Sequence, residues 1–170
     1  FGGVCYSNNG SSNAFTFCDF KDCTATNGDA SYSTSTSSNS FASCIVNGSI
    51  QVASTSTATF DGSVLDALIV GSTAAITIAG KITKVATATL NASTITIEDG
   101  AALSLTGTAT IGAATIASAN RGYLATATGI DTSSATKTNV VECAYGAEIQ
   151  TFNVSKSGAT WTASNLATPI

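Results

Sequence analysis

The sequence lacks histidine and methionine and contains a single proline. Charged residues are also scarce, at 9% of the chain. Without histidine, the usual nucleophile–base pairs and histidine-based metal sites are excluded. No glycine-rich phosphate loop with a lysine is present either. We therefore expect no catalytic residues, no metal ligands and no cofactor, and a protein that is not an enzyme.

Basic residues are few and scattered, and the formal net charge is −4. A nucleic-acid backbone requires a basic stripe, so nucleic acid is not expected as a partner. No run approaches the roughly 18 apolar residues of a membrane-spanning helix, so no membrane span is expected. The missing methionine and the missing basic start predict a processed or partial product whose signal peptide has been removed.

Cysteine usage indicates a secreted protein, extracellular or at the cell surface. Five cysteines without histidine are typical of a compartment that permits disulfides. Cys5, Cys18, Cys23 and Cys44 are close in sequence, and we expect them to form two bridges among themselves. Cys143 is odd by count, which predicts an intermolecular bond or a free thiol. A small buried apolar side chain is the alternative for Cys143.

Four acceptor triplets for N-glycosylation support the same compartment. They begin at Asn9, Asn47, Asn91 and Asn153. If the source is a eukaryote, we expect some of these asparagines to carry glycans, since the triplet marks surface loops of secreted proteins. The alternative is that they are unmodified loop residues.

The first 44 residues contain an internal repeat with an offset of 26 positions. The identical pairs include Tyr6 with Tyr32, Phe15 with Phe41, and Cys18 with Cys44. A fixed period above about 20 residues is typical of repeat architectures. Rungs of such a fold stack at roughly 4.8 Å, inside the Cα separation of about 4.4–6.8 Å for bridged cysteines. The repeat therefore predicts that Cys18 and Cys44 lie close together on successive rungs.

Short alternating runs dominate the middle of the chain, as in Ile76-Thr77-Ile78 and Leu103-Ser104-Leu105. Period-2 alternation with β-branched residues indicates strands with one face buried. Glycines between these runs suit tight corners. A short helix over Ala113–Ala119 is an alternative for one alanine-rich stretch.

These patterns predict one all-β domain over 1–170, a parallel β-helix (β-solenoid). Phe- and Cys-rich rungs would occupy 1–48, Thr- and Ala-rich rungs 49–118, and loosened rungs with a cap 119–170. The slender apolar residues suit a thin interior, and the rung-like offset is not required by other all-β folds. A β-sandwich or jelly roll is the alternative.

Two short motifs resemble those of a known family. Phe1-Gly2-Gly3-Val4 is similar to the Gly-Gly-(Ala/Leu/Ile/Val) element of the chlamydial polymorphic outer-membrane proteins and their protist surface relatives. Those families pair it with Phe-x-x-Asn, and Phe20-Lys21-Asp22-Cys23 resembles this second element with Cys23 in place of asparagine. The resemblance covers about a quarter of the chain. It implies a right-handed parallel β-helix of a secreted or surface-displayed adhesin.

Carboxylates are the remaining candidates for chemistry. The closest groups are Asp19 with Asp22, Asp61 with Asp66, and Glu98 with Asp99. Two carboxylates can catalyse glycoside hydrolysis, and Glu98 with Asp99 could contribute oxygens to a calcium ion. Aspartate next to glycine is, however, typical of turns, and we favour that interpretation.

The first functional hypothesis is a non-enzymatic structural subunit of an extracellular fibre or cell-surface coat. An open end of a solenoid can pair with the next copy, and a head-to-tail contact that does not close propagates as a filament. The main partner would then be the protein itself. The residues expected at the joint are Phe1, Val4, Phe152, Val154 and Trp161.

The second hypothesis is a surface adhesin, or a solenoid that binds ice or a polysaccharide through a flat Thr-rich face. The threonine runs are Thr55–Thr59, Thr87–Thr89, Thr94–Thr96 and Thr108–Thr110. Known ice-binding solenoids are similar in their Thr-x-Thr usage. A carbohydrate-active enzyme is a third and weaker hypothesis, because no cluster of acid and base residues is evident.

Overall fold

The computed structural model describes residues 3–91, 93–145, 153–157 and 160–164, the last two ranges for their backbone only. The strands are β1 (Cys5–Ser7), β2 (Ser12–Thr16), β3 (Asp19–Phe20), β4 (Ser31–Ser33), β5 (Ser38–Ala42), β6 (Ile45–Val52), β7 (Thr57–Asp61), β8 (Val64–Val70), β9 (Ala75–Ala79), β10 (Ile82–Leu90), β11 (Thr94–Ile97), β12 (Ala102–Ile111), β13 (Thr115–Thr126), β14 (Thr136–Ala144), β15 (Asn153–Ser157) and β16 (Thr160–Ser164). No helix is present in these ranges, so the short helix considered over Ala113–Ala119 is wrong, and β13 occupies most of that stretch.

The chain winds as a β-solenoid of about six coils, where a coil is one full winding. All pairings from β1 to β14 are parallel. The predicted parallel β-helix is confirmed. A β-sandwich or jelly roll is wrong, since those folds are built from antiparallel strands.

The pairing register defines three faces. Face 1 stacks β1, β4 and the carboxyl-terminal parts of β6, β8, β10 and β12. Face 2 stacks β2, β5, β7, β9 and β11 with the first residues of β13 and β14. Face 3 stacks β3, the first residues of β6, β8, β10 and β12, and the ends of β13 and β14. Each coil therefore contributes one rung to each face.

The first coil is longer than those that follow. Cys5 pairs with Ser31, whereas Ser31 pairs with Ile50 and Ile50 with Leu68. The additional residues lie in the segment between β3 and β4, which bulges from the corner between faces 3 and 1. The sequence repeat is thus the step from the first coil to the second, and later coils have shorter steps.

Aromatic rings fill the core of the first coils and aliphatic side chains fill the rest. The rings of Phe15, Phe41 and Phe60 stack with centroid distances of 5.2 Å and 5.4 Å. Phe20 meets Phe15 edge-on at 5.3 Å. Aromatic pairs at these separations are favourable beyond their area burial. From β9 onward the column of Phe15, Phe41 and Phe60 continues with Ile78 and Ile97.

A buried polar network lies beside the aromatic stack. Asn13 Nδ2 donates to Ser7 Oγ at 2.8 Å and to Asn39 Oδ1 at 3.0 Å. Asn39 Nδ2 in turn donates to Ser33 Oγ at 2.8 Å and to Ser31 Oγ at 3.2 Å. These bonds satisfy amides that would otherwise be costly to bury. They also explain why asparagine recurs at the same position of the first two coils.

A left-handed residue makes the corner between faces 2 and 3 in several coils. Phe17, Ser43, Gly62, Gly80 and Asn139 all have φ between 53° and 62°. Glycine adopts this conformation without a Cβ penalty, whereas other residues pay about 1–2 kcal/mol. Phe17 carries that cost although its ring is 82% exposed and gains little from burial.

Replacing Phe41 with alanine should lower the free energy of unfolding by about 3–5 kcal/mol, because the ring is fully buried between two others. Chemical denaturation of the variant and of the parent measures this difference. The matched control is Phe17→Gly, which removes an exposed ring from a left-handed corner and should leave stability unchanged or raise it. A Phe41→Ala variant as stable as the parent would contradict the stacked core.

Candidate functional site

The outer surface of face 2 is a regular feature of the solenoid. Three rows of outward side chains run along it. The row formed by Thr16, Ala42, Asp61 and Ala79 borders the corner with face 3, and we call the surface of the other two rows the hydroxyl face. Its residues are Ser12, Ser38, Thr57, Ala75, Thr94, Thr115 and Thr136 in one row, and Ala14, Ser40, Thr59, Thr77, Thr96, Ala117 and Thr138 in the other. All of them are exposed or half-buried, none is charged, and all but three carry a hydroxyl group.

The hydroxyl face is evenly spaced. Neighbouring coils place equivalent residues roughly 4.8 Å apart, and residues two apart along a strand are separated by about 6.6 Å. The pairings from β2 to β11 on this face proceed without a register shift. Shifts occur elsewhere, for example between Val46 and Ser49 and between Val85 and Thr87. The lattice of face 2 is thus continuous from β2 to β11.

The interior holds the hydroxyl face rigid. In β7, β9 and β11 the outward threonines alternate with inward residues that are buried, as Thr77 lies between Ile76 and Ile78 and Thr96 between Ile95 and Ile97. Threonine is also stiff at χ1 because it is β-branched. The array presents methyl and hydroxyl groups at fixed positions. The threonine side chains therefore lose little conformational entropy when a partner binds.

The pairing register shows that the threonine runs predicted to form one surface lie on two faces. Thr57, Thr59, Thr94 and Thr96 lie on face 2, as a single Thr-rich face requires. The runs Thr87–Thr89 and Thr108–Thr110 pair with each other on face 1. Sequence reasoning therefore combined two surfaces into one, since the sequence does not show at which residue each coil turns a corner.

Carboxylates border the hydroxyl face at the corner with face 3 and mostly bind the backbone there. Asp61 Oδ1 accepts from the backbone of Lys81 at 3.2 Å, and Glu98 Oε2 accepts from that of Gly80 at 3.3 Å. Gly62 and Gly100, which follow Asp61 and Asp99, have positive φ. These carboxylates thus sit in the turns that aspartate next to glycine indicates.

Asp99 is the most heavily bonded carboxylate. It accepts hydrogen bonds from the side chain and backbone of Asn120, from the Arg121 backbone at 3.0 Å, and from Ser118 Oγ at 2.9 Å. The bond from the Asn120 side chain, followed by those from the backbone, holds the pKa of Asp99 well below its usual range. Through these hydrogen bonds Asp99 holds the corner of the next coil at Ser118, Asn120 and Arg121.

The cysteines lie where the repeat predicts, but as free thiols. Ile45 N donates to Cys18 O at 2.9 Å, which places Cys18 and Cys44 at equivalent positions of neighbouring coils. All five cysteines are free in the structure, so the two expected bridges are not formed in it. Cys5 and Cys23 are half-buried, and the disulfide pairing stays a prediction. Cys143 is exposed at the rim of an open depression of about 350 Å³, not a buried apolar side chain.

Three of the glycosylation candidates lie at corners of the solenoid. Asn9 is exposed in a turn with φ 54°, Asn47 is exposed in β6, and Asn91 is exposed directly after β10. None of the three belongs to the hydroxyl face. Asn153 begins β15, and its side chain lies outside the described residues.

The residues expected at a filament joint are only partly described. Val4 is 57% exposed, and its backbone nitrogen donates to Ala30 O at 3.2 Å. Phe1 and Phe152 lie outside the described residues, as do the side chains of Val154 and Trp161. The backbone places Val154 in β15 and Trp161 in β16, which pair antiparallel as a separate two-stranded sheet.

An ion pair covers the core at the last coil described, a feature that sequence reasoning missed. Lys137 stands in register with Ile116, and Glu142 with Leu124; both partners are fully buried core residues. The charged pair meets at 3.1 Å, and Thr132 Oγ1 donates to Glu142 at 2.5 Å. The Thr132 hydroxyl, followed by Lys137, lowers the pKa of Glu142. We call these three residues the ionic cap.

Comparisons with known proteins add no assignment: no family model, curated protein or solved structure matches the chain. Across the described ranges, nothing forms a helix long and apolar enough to cross a membrane. Within the same part of the chain, no group of three or more cysteine or carboxylate side chains could hold a metal ion.

Replacing Asp99 with asparagine should lower the thermal midpoint at pH 7, because the hydrogen bonds from Asn120 and Arg121 then lose a charged acceptor. A carboxylate with a depressed pKa stabilises the fold above its unfolded pKa of about 3.9 and loses that contribution as the pH falls. The difference between variant and parent should therefore shrink below about pH 4. Thermal melts from pH 2 to 7 measure it.

The control for this experiment is Asp66→Asn, which changes an exposed carboxylate on face 3. It should leave the pH dependence close to that of the parent. A constant gap between Asp99→Asn and the parent at every pH would show that the charge of Asp99 does not hold the corner.

Proposed function

We propose that the chain is a non-enzymatic β-solenoid module of an extracellular surface coat or adhesin, and that the hydroxyl face is its contact surface. The partner is an ordered, uncharged surface rich in oxygen groups, such as a crystalline polysaccharide or ice. The observation that carries the proposal is the regular array of small, uncharged and mostly hydroxyl-bearing side chains in the two rows of the hydroxyl face.

Three properties of the hydroxyl face support this proposal. An uncharged lattice of hydroxyl and methyl groups suits a partner whose own groups repeat, since many weak contacts then form together. The rigidity of the array keeps the entropy cost of contact low. The glycosylation candidates Asn9, Asn47 and Asn91 are exposed and lie outside the two rows of the hydroxyl face. Secretion, glycosylation and glycan binding are parts of the same proposal.

Replacing Thr77 with tyrosine should weaken binding at least tenfold, because a bulky ring in the middle of the array separates Thr59 and Thr96 from the partner. Co-sedimentation with microcrystalline cellulose and with chitin measures binding to polysaccharide. Thermal hysteresis measures binding to ice. The matched control is Thr110→Tyr, an exposed threonine on face 1, which should bind as the parent does.

Both variants should melt within a few degrees of the parent, since surface substitutions usually change stability by less than about 0.5 kcal/mol. No binding of the parent to any of the three surfaces would contradict the proposed contact surface. Equal losses in the two variants would do so as well.

A head-to-tail filament is the second candidate. Among the described residues, β1 and β2 are the outermost strands of the sheet, so each has one unpaired edge, and Val4 is exposed beside them. Such an edge can template pairing with another chain. The ionic cap disfavours β14 as the other half of the joint, because stacking a coil there would bury Lys137 and Glu142.

Replacing both Lys137 with isoleucine and Glu142 with leucine should make the protein associate end to end, because apolar side chains would then continue the core columns to the last described coil. Analytical ultracentrifugation at micromolar concentration should show larger species than the parent. The matched control changes one lysine and one glutamate on the outer surface, Lys84→Ile with Glu98→Leu. Filaments formed by the parent itself would mean that the ionic cap does not block stacking.

A further inference from the structure

We propose that Cys18 and Cys44 form a disulfide bond that staples the first coil of the solenoid to the second. The register carries this assignment. Asp19 pairs with Ile45, and Phe15 pairs with Phe41, so the intervening residues are aligned as well. Equivalent Cα atoms on adjacent strands are about 4.8 Å apart, which lies within the range of about 4.4–6.8 Å found for disulfides.

The Cys44 thiol is directed toward the first coil. Cys44 Sγ donates to Phe15 O of the first coil at 3.5 Å as well as to Ala42 O of its own coil at 3.5 Å. Cys18 Sγ donates to Thr16 O of its own coil at 3.5 Å. The Cys44 side chain is buried, and that of Cys18 is half-buried.

The bond can form by exchange with a small-molecule disulfide such as oxidised glutathione. The Cys18 thiolate, which solvent reaches, attacks one sulfur of the oxidant and releases one reduced thiol. The Cys44 thiolate then attacks the Cys18 sulfur of the mixed disulfide and releases the second. Two protein thiols lose two protons and two electrons, and the oxidant takes them up. Burial raises the pKa of the Cys44 thiol, so alkaline conditions should speed this second step.

The first coil is the part of the solenoid that such a disulfide would stabilise most. Its strands β1 and β2 pair on one side only among the described residues, and its extended segment between β3 and β4 is long. Its corner also carries Phe17 in a left-handed conformation. Outer units of a repeat protein open most readily, because they have a single neighbour. A bond from Cys18 to Cys44 ties this outer coil to one that is paired on both sides.

The test compares the intact chain treated with oxidised glutathione and with excess reductant. Peptide mapping should recover a Cys18–Cys44 cross-link only in the oxidised sample. Hydrogen exchange of the β2 amides should slow at least tenfold on oxidation and recover on reduction. Cys143→Ser, the matched control, should behave as the parent does. Cys18→Ser should lose both the cross-link and the protection.

Two outcomes would overturn the proposal. One is a cross-link of Cys18 or Cys44 to Cys5 or Cys23 instead. The other is that both thiols stay open to alkylation after oxidation. If Cys44→Ser does not fold because Cys44 is buried, Cys18→Ser answers the same question at a half-buried position. Protection of β2 that persists in Cys18→Ser would show that another contact holds the coil.

Discussion

Parallel pairing in register is the constraint on which the rest of this structure depends. Each coil can pair with the next only if equivalent residues lie one above another, at the strand spacing of roughly 4.8 Å. Every chemical property of the protein consequently appears as a column. The phenylalanine stack, the Asn13–Asn39 bond, the Cys18–Cys44 neighbours and the hydroxyl face are four expressions of the same stacking. Columns inside stabilise the coil, and columns outside form surfaces.

How far the sequence predicts this structure depends on whether a feature is repeated. The offset that aligns Phe15 with Phe41 is visible in the sequence, and the solenoid and the neighbouring positions of Cys18 and Cys44 follow from it. After the second coil the step shortens and the side chains change from aromatic to aliphatic. Identical residues at equivalent positions then no longer reveal the register of the coils. The alternation of apolar residues is the sequence signal that is left.

Features that depend on a corner were not predictable. Thr89 and Thr96 look alike in the sequence, yet they lie on different faces, because Asn91 stands at the corner between them. The ionic cap has the same origin. Lys137 and Glu142 meet only because the chain turns between face 2 and face 3 at Asn139, which has φ 55°. A charge at a core position of one coil is a signal that can be found once the register of the preceding coil is known.

Nuclear Overhauser contacts between threonine methyl groups test most directly whether the hydroxyl face is a lattice of stacked columns. Methyl-labelled protein should show cross-peaks from Thr77 to Thr59 and to Thr96, since these residues lie on adjacent rungs roughly 4.8 Å apart. Thr77 should show none to Thr89, which lies on face 1. Cross-peaks between Thr77 and Thr89, or none between Thr77 and its two column neighbours, would contradict the register and the contact surface built on it.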